Sequence, residues 1–333
     1  MKKYKAAVIG CGRIGFRFDK DPRRKYIATH TGAYHSVKET DLVAVCDSNI
    51  QRLKECCAVF RDARPYRDIN KMLQKENLDI VSICTPPQTH YTVFKRVLEF
   101  DLKAVFCEKP LAGNISEALK MFRLSRKKKV ILQVDHQRRF DPLHARIRSF
   151  IKTRRLGGVQ QVNAYYTAGI YNTGSHLFDL LRFLFGDVSW VEGFPSRNSS
   201  HKRKDPNIDG IIRFKNGIFA TFQACDARRY LVFEVNCFLE NGRVVLKNSG
   251  FELDTYIAGK SKYFSGYKEL IKTKPFCRTD YRRAFMVGAV KHIVECLKKN
   301  KKSVSSGQDG YRALQIIEAA VYSARHNGRR IGL

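Results

Sequence analysis

The stretch VIGCGRIG, residues 8 to 15, decides how this chain is read. It sets Gly10, Gly12 and Gly15 in the pattern G-x-G-x-x-G, directly after the apolar run KAAVI, which has the composition of a strand. At a strand-to-helix turn such glycines let the backbone fold tightly and approach a pyrophosphate, whose charge then meets the free N–H groups of the helix N-terminus. Arg13 and Ile14 lie in the same turn and are expected beside the dinucleotide. The next apolar run ends in VAVCD, so Asp47 is placed to accept hydrogen bonds from an adenosine ribose diol. A carboxylate there repels a 2′-phosphate, which favours NAD over NADP, while Arg52 keeps NADP open. The gap of 32 residues from Gly15 to Asp47 is longer than usual, so FDKDPRRKYIATHTGAYH has to hold an insertion.

Outward from this turn, short apolar runs alternate with longer helical patterns up to about residue 135. LVAVCD, DIVSICTP, KAVFCEK and VILQVD are the strands; QTHYTVFKRVLEF and ISEALKMFRLS are candidate helices. That rhythm implies a parallel sheet with helices on both faces. Beyond residue 155 the texture changes to runs of β-formers separated by FKNG and LENG, both strong hairpin signals, so the second half is expected to be a mainly antiparallel sheet. The expected fold class is α/β, with a doubly wound dinucleotide-binding domain at 1–136 and an α/β domain carrying a large open sheet at 137–333. The stretch 253–285, aromatic and basic without a clear period, reads as loop or irregular structure.

Composition narrows the function classes. At 333 residues and 44% apolar content the chain exceeds what one core usually supports, in keeping with two domains. No apolar run approaches the roughly 18 residues of a membrane span, and the start MKKYKAAVIG has too short an apolar stretch for a signal peptide, so a soluble, cytoplasmic protein is expected. The ten cysteines have no CxxC spacing; Cys11, Cys46, Cys84 and Cys107 end strand-like runs, as small buried hydrophobes in a reducing compartment do. The net charge of +31 is spread evenly, with 31 basic against 16 acidic residues in 1–150 and 31 against 15 in the remainder. That is a solvated surface rather than a nucleic-acid tail, and a field able to draw acidic small substrates toward a cleft.

Two further runs sit at the carboxyl ends of expected strands, the edge where doubly wound sheets bind ligands. CTPPQTHY brings Thr85, Pro86 and His90 there, and CEKP brings Glu108 and Lys109. Lys109, held by a stiff turn, is suited to stabilising an oxygen that becomes an alkoxide; the plainer reading is a surface lysine in an ordinary turn.

GCGRIG, VCD, TPPQTH, EKPLA, QRRFDP, GSHLFDLLRFLFGD, FKNG and the closing GYRALQIIEAAVYSARHNGRRIGL come in one order over nearly the whole chain. In that combination the sequence resembles the glucose-fructose oxidoreductase, inositol dehydrogenase and MocA family of NAD(P)-dependent enzymes. The resemblance implies an N-terminal Rossmann domain, a C-terminal α/β domain whose open sheet forms the interface of a homo-oligomer, dimer or tetramer, and an active cleft between the domains. It also implies that His176 lies beside the nicotinamide and faces a substrate hydroxyl as general base, with Lys109 on the same oxygen. This accounts for an imidazole at the mouth of an apolar helix, where a plain helix-starting histidine is the other reading.

One departure concerns Asn172, where many members of the family carry Asp. Asn172 can orient the histidine but supplies no charge, so it either binds a substrate hydroxyl, or Asp179 three residues after His176 provides the acid, or the chemistry is impaired. By resemblance His90 borders the dinucleotide, and Arg139 after Arg138 either reaches cofactor or substrate or pairs with Asp141. Tyr166 and Tyr171 are placed to line a sugar site or to fill the core. His136, His144 and His201 share no ligand spacing, and no metal is expected. The expected activity is NAD(P)-dependent hydride transfer between nicotinamide and a secondary alcohol or ketone of a sugar, cyclitol or sugar derivative. The alternative is a non-catalytic dinucleotide-sensing regulator of the same fold; nucleic acid and membrane are not expected partners.

Overall fold

A computed structural model describes residues 3–198, 200, 204–277 and 285–333. The first elements in chain order are β1 (Tyr4–Ile9), α1 (His30–Ser36), β2 (Thr40–Cys46), α2 (Ile50–Val59), β3 (Arg64–Tyr66) and α3 (Ile69–Lys75). They are followed by β4 (Ile80–Ile83), α4 (Pro87–Val97), β5 (Ala104–Cys107), α5 (Ile115–Lys127) and β6 (Ile131–Val134). The second half contributes α6 (Pro142–Lys152), β7 (Val159–Tyr166), α7 (Thr173–Phe185), β8 (Val188–Pro195), β9 (Ile208–Phe214) and β10 (Phe219–Ala224). After these come β11 (Phe233–Leu239), β12 (Gly242–Lys247), β13 (Glu252–Lys260), β14 (Lys268–Thr273), α8 (Phe285–Lys299), α9 (Gly307–Arg325) and β15 (Ile331–Gly332).

The chain forms two compact units that are discontinuous in sequence: Met1–Asp141 with Arg282–Arg312, and Pro142–Tyr281 with Ala313–Leu333. In the first, six parallel strands run in the order β3-β2-β1-β4-β5-β6, with β1 at the centre as a doubly wound sheet requires. Short polar side chains start its helices. Asn49 accepts the N–H groups of Gln51 and Arg52 at α2, Asp68 that of Lys71 at α3, and Asn114 that of Glu117 at α5. The strands are buried on both faces, and α8 returns late in the chain to complete this core with Met286, Ala289, Val290, Ile293 and Val294. Met286, Val290, Ile293 and Val294 each contribute about 1.5–3 kcal/mol of burial.

The expected insertion is a 14-residue excursion, Phe16 to Thr29, spliced into the first helix itself. His30 and Thr31 return their N–H groups to the carbonyls of Ile14 and Gly15, so α1 resumes where the glycine turn stopped. Asp19 closes the base of the excursion by accepting the Ala28 N–H at 2.7 Å and the Thr29 hydroxyl, while Thr29 caps α1. Without the excursion the spacing to Asp47 is ordinary.

The second unit is built on nine strands in the order β14-β13-β12-β11-β7-β10-β9-β8-β15. All pairs are antiparallel except β7 with β10. Both expected hairpins form, β9–β10 and β11–β12. Helix α7 packs on this sheet through Phe178 against Phe222 and Phe185 against Phe214, with ring centroids 5.0 and 5.7 Å apart. The expectation of irregular structure over 253–285 is corrected: β13 and β14 are a regular antiparallel pair from Thr255–Thr273 to Lys260–Lys268. Ile257 pairs with Ile271 there, and the lack of period reflects a hairpin with apolar side chains exposed on both faces. The rest of that stretch, 278–284, falls outside the described residues.

Candidate active site

In the first unit the glycine turn has distinct demands at each position. Gly10 has φ +100°, and a methyl group there would lie 2.8 Å from the Cys84 carbonyl carbon; at Gly15 it would lie 1.9 Å from the Gly10 carbonyl oxygen. Both are required by the protein's own packing. At Gly12 a methyl group meets nothing within 4 Å, so this glycine faces open space, as a backbone that receives a pyrophosphate does. Arg13 is exposed and Ile14 half-buried beside it. Asp47, at the end of β2, is buried and accepts the N–H groups of Cys11 and Asn49, each at 2.8 Å, so it ties the second strand to the glycine turn. Arg52 lies 3.6 Å from the same carboxylate. These residues fit a dinucleotide: an open glycine in the first turn and a fixed carboxylate at the end of the second strand.

The ends of β4 and β5 are joined by His90. Its Nε2 lies 2.8 Å from the Thr85 carbonyl oxygen and its Nδ1 3.1 Å from that of Pro110, with the Cys107 thiol 3.5 Å away. Burial pushes its pKa down. The ring lies between the Thr85 and Pro110 carbonyls, so His90 is turned inward as a brace under the turns bearing Thr85 and Pro86 and those bearing Glu108 and Lys109. Thr85 and Lys109 are half-buried and Pro86 is exposed.

Glu108 also points inward. Its Oε1 accepts from His30 Nε2 at 3.0 Å, and its Oε2 accepts the Lys109 N–H at 3.3 Å. His30 Nδ1 meets the Ser82 hydroxyl at 2.8 Å, which in turn meets the Tyr34 hydroxyl at 2.9 Å. Asp135, after β6, hydrogen-bonds Glu108. Among the described residues His30, Glu108 and Asp135 are a group whose ligand atoms lie within 4.8 Å of one another. Sequence reading did not find this cluster. His30 sits at the far end of the insertion, and Asp135 carries no motif. Arg139 is held by the Val304 carbonyl at 2.8 Å and the Asp309 carboxylate at 3.1 Å, tying it to the start of α9.

In the second unit His176 lies in the first turn of α7. From Gly174 to Leu181 every other residue is buried, and His176 alone is half-buried. Asp179 is buried one turn on. The turn before the helix is fixed by Asp205, whose two oxygens accept the N–H groups of Tyr171 at 2.8 Å and Asn172 at 3.1 Å. Gly169, at φ +93°, makes room for it, since a methyl group there would lie 2.2 Å from that carboxylate. Asn172 itself donates to the Ala168 carbonyl at 3.3 Å. Tyr171 hydrogen-bonds Glu318 of α9, and burial pushes its phenol up to about 12. Tyr166 is a core residue, fully buried, with its hydroxyl donating to the Ile208 carbonyl at 2.7 Å. Sequence reasoning missed Asp205, which lies in an irregular segment 33 residues from Asn172. His136 and His144 are buried; His201 lies outside the described residues.

A parallel sheet with an open glycine turn and a carboxylate at the end of its second strand defines a dinucleotide-binding protein. Residues 4–136 match the profile of the oxidoreductase family with an NAD-binding Rossmann fold, and 144–245 match the GFO/IDH/MocA C-terminal domain. The chain belongs to this family of NAD-binding oxidoreductases. It is 23% identical to D-apiose dehydrogenase of Paraburkholderia graminis, over 100% of this chain and 90% of that one. It is 24% identical to myo-inositol 2-dehydrogenase of Thermotoga maritima, over 94% of each. The fold is shared with the WlbA dehydrogenase of Bordetella pertussis, solved with NADH and UDP-GlcNAcA, at a TM-score of 0.79 and 21% identity over 100% and 99% of the two chains.

Proposed function

We propose that this oxidoreductase is an NAD-dependent dehydrogenase or reductase acting on a secondary alcohol or ketone of a sugar, cyclitol or sugar derivative. The observation that carries the reading is His176, the only side chain between Gly174 and Leu181 that is not buried, on a helix whose start is clamped by Asp205. When bound, the nicotinamide takes or gives the hydride. His176 removes the hydroxyl proton in oxidation and returns it in reduction, and Lys109 hydrogen-bonds the same oxygen as it gains charge. Gly10, Gly12, Arg13, Ile14 and Gly15 receive the pyrophosphate and Asp47 the adenosine ribose, with Thr85, Pro86 and Lys109 along the nicotinamide side. His90 and Glu108 act from beneath. The relatives named for inositol and apiose support the substrate class.

The reading extends to a cytoplasmic homo-oligomer. Among the described residues no two cysteines form a disulfide, which suits a reducing compartment, and no helix is long and apolar enough to cross a membrane. Ile257, Tyr263, Phe264, Tyr267, Leu270 and Ile271 are exposed on β13, β14 and their connection, an apolar surface that a second copy would cover.

The test follows nicotinamide absorbance with NAD⁺ and with NADP⁺ over a panel of cyclitols, aldoses, uronic acids and nucleotide sugars. Turnover with NAD⁺ on at least one of these is expected. Tight NADH binding with no turnover on any of them contradicts the enzyme reading.

A further inference from the structure

The buried cluster around Glu108 has a hydrogen-bond order that can be worked out. Tyr34, Ser82, His30, Glu108 and Asp135 are each under a tenth exposed. Burial holds His30 down to about 4, so its ring is neutral and carries one N–H. A neutral ring whose Nε2 faces a carboxyl oxygen donates from Nε2, so its Nδ1 accepts from Ser82, and Ser82 accepts from Tyr34. Glu108 thus accepts at Oε1 from His30 and at Oε2 from the Lys109 N–H. This order holds with Glu108 as the ionised member, the acid that carries the Lys109 N–H on Oε2 and whose charge Lys109 favours. The bond between Glu108 and Asp135 then needs a proton on Asp135, because two carboxylates have none to share. Among the described residues Asp135 Oδ1 has no hydrogen-bond partner, as befits the carbonyl oxygen of a neutral acid.

We propose that Asp135 is a protonated, hydrogen-bond-donating positioning residue that fixes the Glu108 carboxylate as a single negative charge next to Lys109. The geometry that supports it is the clamp of Glu108 Oε2 on the Lys109 backbone, together with the one-way chain from Tyr34 to Glu108. The charged and titratable groups facing the pair are Lys109, His30, and the Cys84 and Cys107 thiols. Burial raises both carboxyls, and the charge of Lys109 pulls both down. One negative charge offsets one ammonium; two would leave an uncompensated buried carboxylate. The same trio has the donor set for a divalent cation, so the test includes metal binding.

This inference rests on Lys109 meeting the substrate oxygen, yet its test does not depend on turnover alone. Infrared difference spectra at pH 7 between the wild type and Asp135→Asn are expected to show a protonated-carboxyl band lost in the variant. In kinetics, Asp135→Asn, which keeps the donor, should stay within about threefold of wild-type kcat, whereas Asp135→Ala and Glu108→Gln should lose about 10²-fold in kcat with unchanged NADH affinity. Absence of the band, or an Asp135→Asn loss as large as that of Glu108→Gln, overturns the proposal. So does stoichiometric binding of zinc or manganese that His30→Ala abolishes. If wild-type protein turns over no substrate, the enzyme reading fails while the infrared band still decides the state of Asp135.

Discussion

The three glycines of one turn obey different rules, and substitution separates them. Gly12→Ala meets open space, so it should leave the melting temperature unchanged while weakening NADH at least about tenfold, because the added methyl group occupies the approach to the pyrophosphate. Gly15→Ala drives a methyl group into the Gly10 carbonyl and should destabilise the unit itself. Isothermal titration with NADH beside thermal unfolding reads both. His30 makes a second prediction at this scale. Its pKa is about 4 in the fold against the usual 6.5 in the unfolded chain, so the unfolded state binds more protons as pH falls through this window. Its contribution is full above 6.5 and is lost toward 4; relative to His30→Gln, the wild type should lose about 2 kcal/mol of stability between pH 7 and pH 5. Denaturant midpoints at the two pH values check this, and a constant difference contradicts it.

Helix α7 shows how an element carries a functional side chain. Its sequence is apolar nearly all round, which buries it, and from Gly174 to Leu181 only the position of His176 is left half-buried. The start of the helix is set by Asp205 rather than by Asn172, so Asp205→Ala should cost about 1–2 kcal/mol and lower kcat more than it raises KM, by loosening the turn before His176. What was legible in the sequence follows from distance along the chain. The strands of the parallel sheet, the glycine turn, Asp47 and both hairpins are local patterns of spacing and turn residues. Asp205, His30 with Asp135, and the return of α8 to the first core depend on partners far apart in sequence. The β13–β14 hairpin was missed because both of its faces expose apolar side chains, which hides the alternation that normally marks a strand. Sequence spacing also marked an insertion before Asp47, but not that it interrupts a helix which then resumes hydrogen-bonded to Ile14 and Gly15.

At the scale of the whole molecule, a net charge of +31 without a basic tail acts through its long-range field. For an acidic sugar such as a uronic acid, kcat/KM should fall steeply as salt is raised from low to physiological ionic strength, while a neutral cyclitol changes little. Stopped-flow and steady-state rates over a salt series test this, and equal salt dependence for both substrates removes the steering role. Cofactor binding should also stabilise the protein as mass action requires, by about 2.7 kcal/mol at a hundred times the dissociation constant, and Gly12→Ala, binding about tenfold more weakly, should lose about half of that shift at the same NADH concentration. The central claim is that Lys109 and His176 carry the chemistry, while the glycine turn and Asp47 supply most of the NAD affinity. The most direct measurement is nicotinamide absorbance on the best substrate of the panel for the wild type, Lys109→Met and His176→Gln, with NADH affinity measured on the same samples. Each variant should lose about 10²–10⁴-fold in kcat and keep NADH binding; a variant of either residue that turns over at the wild-type rate contradicts the account.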